Sequence, residues 1–141
     1  MNKISTSSLV SIVDDDQSIR EALASLIEAF GFDVELFSSA EEFLESITIE
    51  LTDCLILDIR MGGMSGLTLQ SKLAARHSRL PIIFLTAHGN KHQEKQALRV
   101  GAAAFLRKPF SAVQMLRILS STLNRHDFDN EQEHSRSAYE K

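Results

Sequence analysis

Five short apolar runs, each followed by an amphipathic or polar stretch, divide this 141-residue chain into a regular alternation. The runs are LVSIV at 9–13, DVELF at 33–37, DCLIL at 53–57, PIIFL at 81–85 and AAFL at 103–106. Between the first two, Ile19, Leu23, Leu26, Ile27 and Phe30 recur at helical spacing, and Gly31 supplies a helix stop. Ser39 with Glu42, and Ser111 with Gln114, have the spacing of capping boxes that open a second and a fifth helix. A third helix carries Leu67, Leu69 and Leu73 and ends near His77, and a fourth runs from Asn90 to Val100. Phe43, Leu44 and Ile47 are the expected core contacts of the second helix, and Val113, Leu116, Ile118 and Leu119 of the last. Strict strand–helix alternation requires a parallel sheet with helices on both faces. Right-handed crossovers restrict the topologies, and at this length the doubly wound, flavodoxin-like α/β order 2-1-3-4-5 fits.

The totals narrow the function. At 43% hydrophobic the chain can bury one core, and a net charge of −4 argues against nucleic-acid binding by this segment. The single cysteine, Cys54, excludes an internal disulfide and fits a reducing compartment. No apolar run approaches the roughly 18 residues of a membrane span, and the polar start MNKISTSS lacks the apolar core of a secretory signal. These features imply a cytoplasmic protein. Residues 8–124 read as one domain, and 125–141 as a polar tail or the start of a linker, too poor in apolar residues to bury itself.

The chemistry-bearing residues fall at the strand ends. Asp14 and Asp15 follow the first run, Asp58 the third and Thr86 the fourth, and Lys108 lies just beyond the fifth. In an open parallel sheet these ends share the edge where ligands bind. Three carboxylates brought together repel one another when ionised, so a cation must hold them. Lys108 supplies one charge, and an all-oxygen donor set without His or Cys favours a hard divalent ion, Mg²⁺ or Mn²⁺ in its place. Mg²⁺ uses only one or two carboxylates, which leaves Asp58 free to attack a phosphoryl group. Lys108, the Thr86 hydroxyl and backbone N–H groups would neutralise the transferred oxygens. Each residue alone has an ordinary structural use: Asp16 and its neighbours as helix caps, Phe105 and Cys54 as core, the histidines as surface residues.

Taken together and in order, VDDD, LDIRM followed by MSG, LTAHG and AFLRKPF resemble the receiver domain of bacterial two-component response regulators, in the style of the nitrogen-fixation and aromatic-degradation branch. The resemblance covers residues 8–124, with intervals of 43 residues from Asp15 to Asp58, 28 to Thr86 and 22 to Lys108. It implies that Asp58 is the phosphoacceptor, that Asp15 binds Mg²⁺ directly and Asp14 through water, and that the Arg60 backbone carbonyl is a further ligand. Thr86 would move toward the phosphoryl group, with Phe105 swinging inward. The Lys108–Pro109 bond would be cis. The Arg60 and His88 side chains would tune the lifetime of the acyl phosphate.

The implied partners are a sensor histidine kinase or a histidine phosphotransfer protein, selected through Gln17, Ser18 and Arg20. A homodimer through the fourth helix, fifth strand and fifth helix would form on phosphorylation, with no membrane or nucleic-acid contact. The implied activity is a signalling switch that catalyses only its own phosphorylation and slow dephosphorylation. Two departures stand out. Gly62 occupies the place of the usual proline, which implies a floppier loop. The fourth helix opens with the polar run Asn90-Lys91-His92-Gln93.

Two other functions fit parts of the pattern. A Mg²⁺-dependent phosphohydrolase with an aspartyl-phosphate intermediate would want a second acid two residues past Asp58, where Arg60 stands. A flavin-binding protein of similar topology would want a Ser/Thr/Gly-rich phosphate loop after the first strand, where Asp14 to Asp16 would repel the phosphate.

Overall fold

The computed structural model describes residues 8–76, 78–87 and 91–124. Five parallel strands, β1 (Leu9–Val13), β2 (Asp33–Phe37), β3 (Cys54–Asp58), β4 (Ile82–Thr86) and β5 (Ala104–Arg107), form one sheet in the order β2-β1-β3-β4-β5. This is the order expected from the alternation. The helices are α1 (Gln17–Ala29), α2 (Ala40–Leu44), α3 (Gly66–Ala75), α4 (Lys91–Val100) and α5 (112–124), and a 3₁₀ turn (Ile47–Leu51) follows α2. No helix of the described residues is long and apolar enough to cross a membrane.

β3 and β4 lie inside the sheet and are buried along their whole length, which is why both read as unbroken apolar runs. The edge strand β2 is mostly exposed. Successive side chains of the inner strands go to opposite faces. Ile56, Ile83 and Leu85 join Leu23 and Ile27 of α1 and Met115, Leu119 and Leu123 of α5 in one cluster. Leu55, Leu57, Ile82 and Phe84 join Phe43 of α2, Leu69 and Leu73 of α3 and Ala97 of α4 in the other. Cys54 opens β3 wholly buried, and loss of hydration, reinforced by the charge of Asp53, pushes its thiol up to about 12.

The helix starts follow the expected chemistry with one variation. Asp16 caps α1 by accepting from the Ile19 N–H. Ser111 and Gln114 exchange both bonds of a capping box. At α2, Ser39 accepts from the Glu42 N–H, but Glu42 turns to the Ser38 N–H and hydroxyl instead of back to Ser39. Two groups of expected core contacts need correction. Ile47 is 86% exposed, because α2 ends at Leu44 and the chain enters the 3₁₀ turn. On α5, Val113 and Leu116 face outward, and Met115, Leu119, Thr122 and Leu123 make the inner side. Leu119 is buried and Ile118 packs against the core as expected, and the steps 115, 119, 122 and 123 form the helical stripe.

Gly66 sets the join between β3 and α3. A Cβ there would stand 2.5 Å from the Asp58 carbonyl oxygen and 3.0 Å from Ile59 Cα, so a side chain would push helix and strand apart. Its N–H donates to the Ile59 carbonyl at 3.0 Å.

Candidate functional site

The strand ends deliver their polar side chains to one rim of the sheet. Asp14, directly after β1, is fully buried. Its Oδ1 accepts from the Asp16 N–H at 2.9 Å, and its carbonyl accepts from Arg20 Nη1 at 2.7 Å. Its Oδ2 is buried with no hydrogen-bond partner among the described residues, and Lys108 Nζ stands 3.6 Å away. Asp58 closes β3 at 8% exposure; its Oδ1 accepts from the Arg60 N–H at 3.1 Å and its Oδ2 from Lys108 Nζ at 3.3 Å. Asp15 is exposed and accepts the Gly62 N–H on Oδ2 at 3.0 Å. One carboxylate oxygen from each of Asp14, Asp15 and Asp58 lies within 4.8 Å of the other two.

Burial is the main force raising the Asp58 carboxyl above its ordinary value, and the Asp14 charge adds to it. The Lys108 ammonium and the Arg60 N–H pull the other way without cancelling it. The site therefore carries surplus negative charge that one lysine only partly offsets. An orphaned buried carboxylate oxygen beside two further carboxylates is a donor set that fits a hard divalent cation.

A cleft of about 120 Å³ opens among Asp58, Ile59, Arg60, Thr86, Ala87 and Lys108. Two larger hollows, about 320 and 610 Å³, lie around Leu80 and Pro81, and none of these rim residues lines them. Chemistry, rather than size, identifies the site.

The predicted site residues divide into three groups. Asp14, Asp15, Asp58 and Lys108 come together. Thr86 borders the cleft, but its hydroxyl donates to Glu94 Oε2 of α4 at 3.4 Å. Phe105 is half-buried and stacks on Phe84, with centroids 5.8 Å apart and planes 19° apart. The Arg60 side chain is exposed while its backbone serves Asp58. His88, the other residue expected to tune the site, and Asn90 lie outside the described residues. The Lys108–Pro109 bond is cis, as the resemblance implies.

The loop after β3 differs from expectation. Gly62 donates to Asp15, and Met64 donates to Glu41 Oε2 of α2 at 3.1 Å, so carboxylates from two other segments grip its backbone. Gly63 between them has φ +77°, and a Cβ there would stand 3.1 Å from Glu41 Oε2. Sequence reading missed Gly62 as a donor, and it missed Glu41, Glu94 and Arg107. Backbone donors have no residue-type signature, and surface acids on helices look like ordinary solvated faces.

The response regulator receiver domain, as a family sequence model, matches residues 10–120. Nodulation protein W of Bradyrhizobium diazoefficiens is 42% identical over 112 residues, covering 79% of this chain and 49% of that protein. Response regulator protein TodT of Pseudomonas putida is 40% identical over 116 residues, covering 82% of this chain and 51% of that protein. The solved structure of response regulator StyR superposes with a TM-score of 0.80 at 39% identity, covering 92% of this chain and 67% of that one. The fold and the acidic rim thus define a receiver-type signalling domain. The chain belongs to the response regulator receiver family of bacterial two-component systems. It spans about half the length of the curated relatives it matches.

Proposed function

We propose that this chain is a phosphoacceptor switch in which Asp58 takes a phosphoryl group from the phosphohistidine of a sensor kinase or a histidine phosphotransfer protein. An Asp58 carboxylate oxygen attacks phosphorus in line, the P–O bond forms, and the P–N bond to the donor histidine breaks. The bonding pair stays on that nitrogen, which picks up a proton. Lys108 Nζ, already 3.3 Å from Asp58 Oδ2, neutralises one transferred oxygen, and the Thr86 hydroxyl is available to a second. Mg²⁺, or Mn²⁺ in its place, would be held by Asp15, Asp58, the Arg60 carbonyl and, through water, Asp14; when bound it supplies charge neutralisation for the phosphoryl oxygens. The observation that carries this reading is the paired approach of Lys108 to the buried carboxylates of Asp14 and Asp58.

Residues 8–124 act as the unit of function, in the cytoplasm, with Gln17, Ser18 and Arg20 of α1 facing the kinase. Phosphorylation changes the surface of α4, β5 and α5, and a second copy docks there. This segment contacts neither nucleic acid nor membrane, and the segment 125–141 serves as tail or linker. The chain turns over only its own phosphoryl group, with Arg60 and His88 setting the lifetime and Phe105 following Thr86 inward.

The test is intact mass after incubation with Mg²⁺ and acetyl phosphate or phosphoramidate. One phosphoryl adduct is expected, absent without the cation and absent in Asp58→Asn. An adduct that persists in Asp58→Asn refutes the assignment, and rapid turnover of many phosphate esters points to a hydrolase instead.

A further inference from the structure

The Thr86 hydroxyl has a single proton to donate. That proton is directed to Glu94 Oε2, 3.4 Å away on the first turn of α4. Arg107 grips the same carboxylate from the end of β5, with Nε 3.3 Å from Oε2 and Nη2 3.1 Å from Oε1. Arg107 is the register partner of Thr86, so the two side chains start from adjacent positions on neighbouring strands. The Glu94 side chain is 15% exposed and that of Arg107 is 55% exposed, which sets the carboxylate under a cationic cover. The hydrogen bond to Glu94 raises the Arg107 guanidinium from its ordinary value.

This trio sits beside the cleft, and the function proposed above uses neither Glu94 nor Arg107. The hydroxyl can donate to Glu94 or to a phosphoryl oxygen on Asp58, but not to both. We propose that Glu94, oriented by Arg107, is a positioning residue that competes with the phosphoryl group on Asp58 for the Thr86 hydroxyl and so sets how readily the switch engages. This inference rests on the phosphoacceptor reading. It makes the threshold of the switch a property of an ion pair outside the reacting centre. Affinity for the phosphorylated-state geometry is reduced to the intrinsic affinity multiplied by the fraction of molecules whose hydroxyl is free.

The test titrates beryllofluoride into the full chain at saturating Mg²⁺ by calorimetry, in wild type, Glu94→Ala, Thr86→Val and the double variant. Removing the competitor is expected to tighten binding about threefold to tenfold, the worth of one ordinary hydrogen bond. Deleting an anion near the cleft would also tighten anion binding, and the Thr86→Val background separates the two causes. With no hydroxyl to release, Glu94→Ala is expected to keep only the electrostatic part there, a clearly smaller gain than in the Thr86 background. An unchanged affinity in Glu94→Ala, or the same gain in both backgrounds, overturns the proposal and leaves the phosphoacceptor reading standing. A wild type that binds no beryllofluoride overturns both. Should the alanine variant unfold, Glu94→Gln keeps the side-chain volume with a weaker acceptor and carries the same expectation at smaller size.

Discussion

Along β1 and β3 the rim carboxylates are held by backbone N–H groups: Asp16 on Asp14, Gly62 on Asp15, Arg60 on Asp58. Along β4 and β5 the Thr86 hydroxyl is held through side chains, Thr86 to Glu94 to Arg107, with distances of 3.1 to 3.4 Å. Backbone donors shift only if the chain shifts, whereas a side-chain pair exchanges partners by rotating a few bonds. Burial falls off only at the β5 edge: β3 and β4 are closed to solvent throughout, and β5 buries only Leu106 fully. One half of the rim is preorganised for chemistry, and the other is free to report it. A switch needs both, because a rim rigid throughout would have no second state to populate.

The largest expected effect tests that division through packing. Leu57→Ala in β3 removes a fully buried side chain and is expected to cost about 2–5 kcal/mol in urea unfolding. Phe105→Ala in β5 removes a half-buried ring and is expected to cost no more than about 2 kcal/mol. Equal losses would break the contrast. Next in size is the response to a cation. Mg²⁺ at ten times its Kd is expected to add about 1.4 kcal/mol of thermal stability by linkage. Asp15→Asn should abolish most of that gain and Thr86→Val should leave it; a gain lost in Thr86→Val would place the cation on the wrong half.

The smallest effect concerns pH without the cation. The folded chain holds the Asp58 proton more tightly than the unfolded chain, where the carboxyl keeps its ordinary value of 3.8. Ionised Asp58 therefore destabilises the fold above its raised value, and Asp58→Asn is expected to raise the melting temperature at neutral pH. As pH falls from the raised value toward 3.8, wild type recovers and the difference narrows. A gain that grows on acidification would have the wrong sign.

The legible and illegible parts of the sequence divide along similar lines. Runs such as DCLIL and PIIFL announced the inner strands because both faces are buried, and strand ends are fixed points of a parallel sheet, so Asp14, Asp58 and Lys108 could be placed together. The Thr86–Glu94 contact depends on how far a helix side chain reaches across a loop, which no period encodes. The grip of Glu41 on Met64 joins residues 23 apart through a backbone donor. Val113 and Leu116 were misassigned because an apolar residue on a helix carries no label for which side it takes when four compete. Gly62 was read as loosening its loop; its N–H, which a proline would lack, ties that loop to Asp15.

Cys54 gives the chain a built-in clock. It is the sole sulfhydryl, at the head of the innermost strand, and its proton is held far too tightly for attack on an alkylating reagent in the folded state. Labelling at neutral pH thus counts only those moments when the centre of the sheet comes apart. Each rim variant can be timed against the same internal standard without adding a dye or a tryptophan.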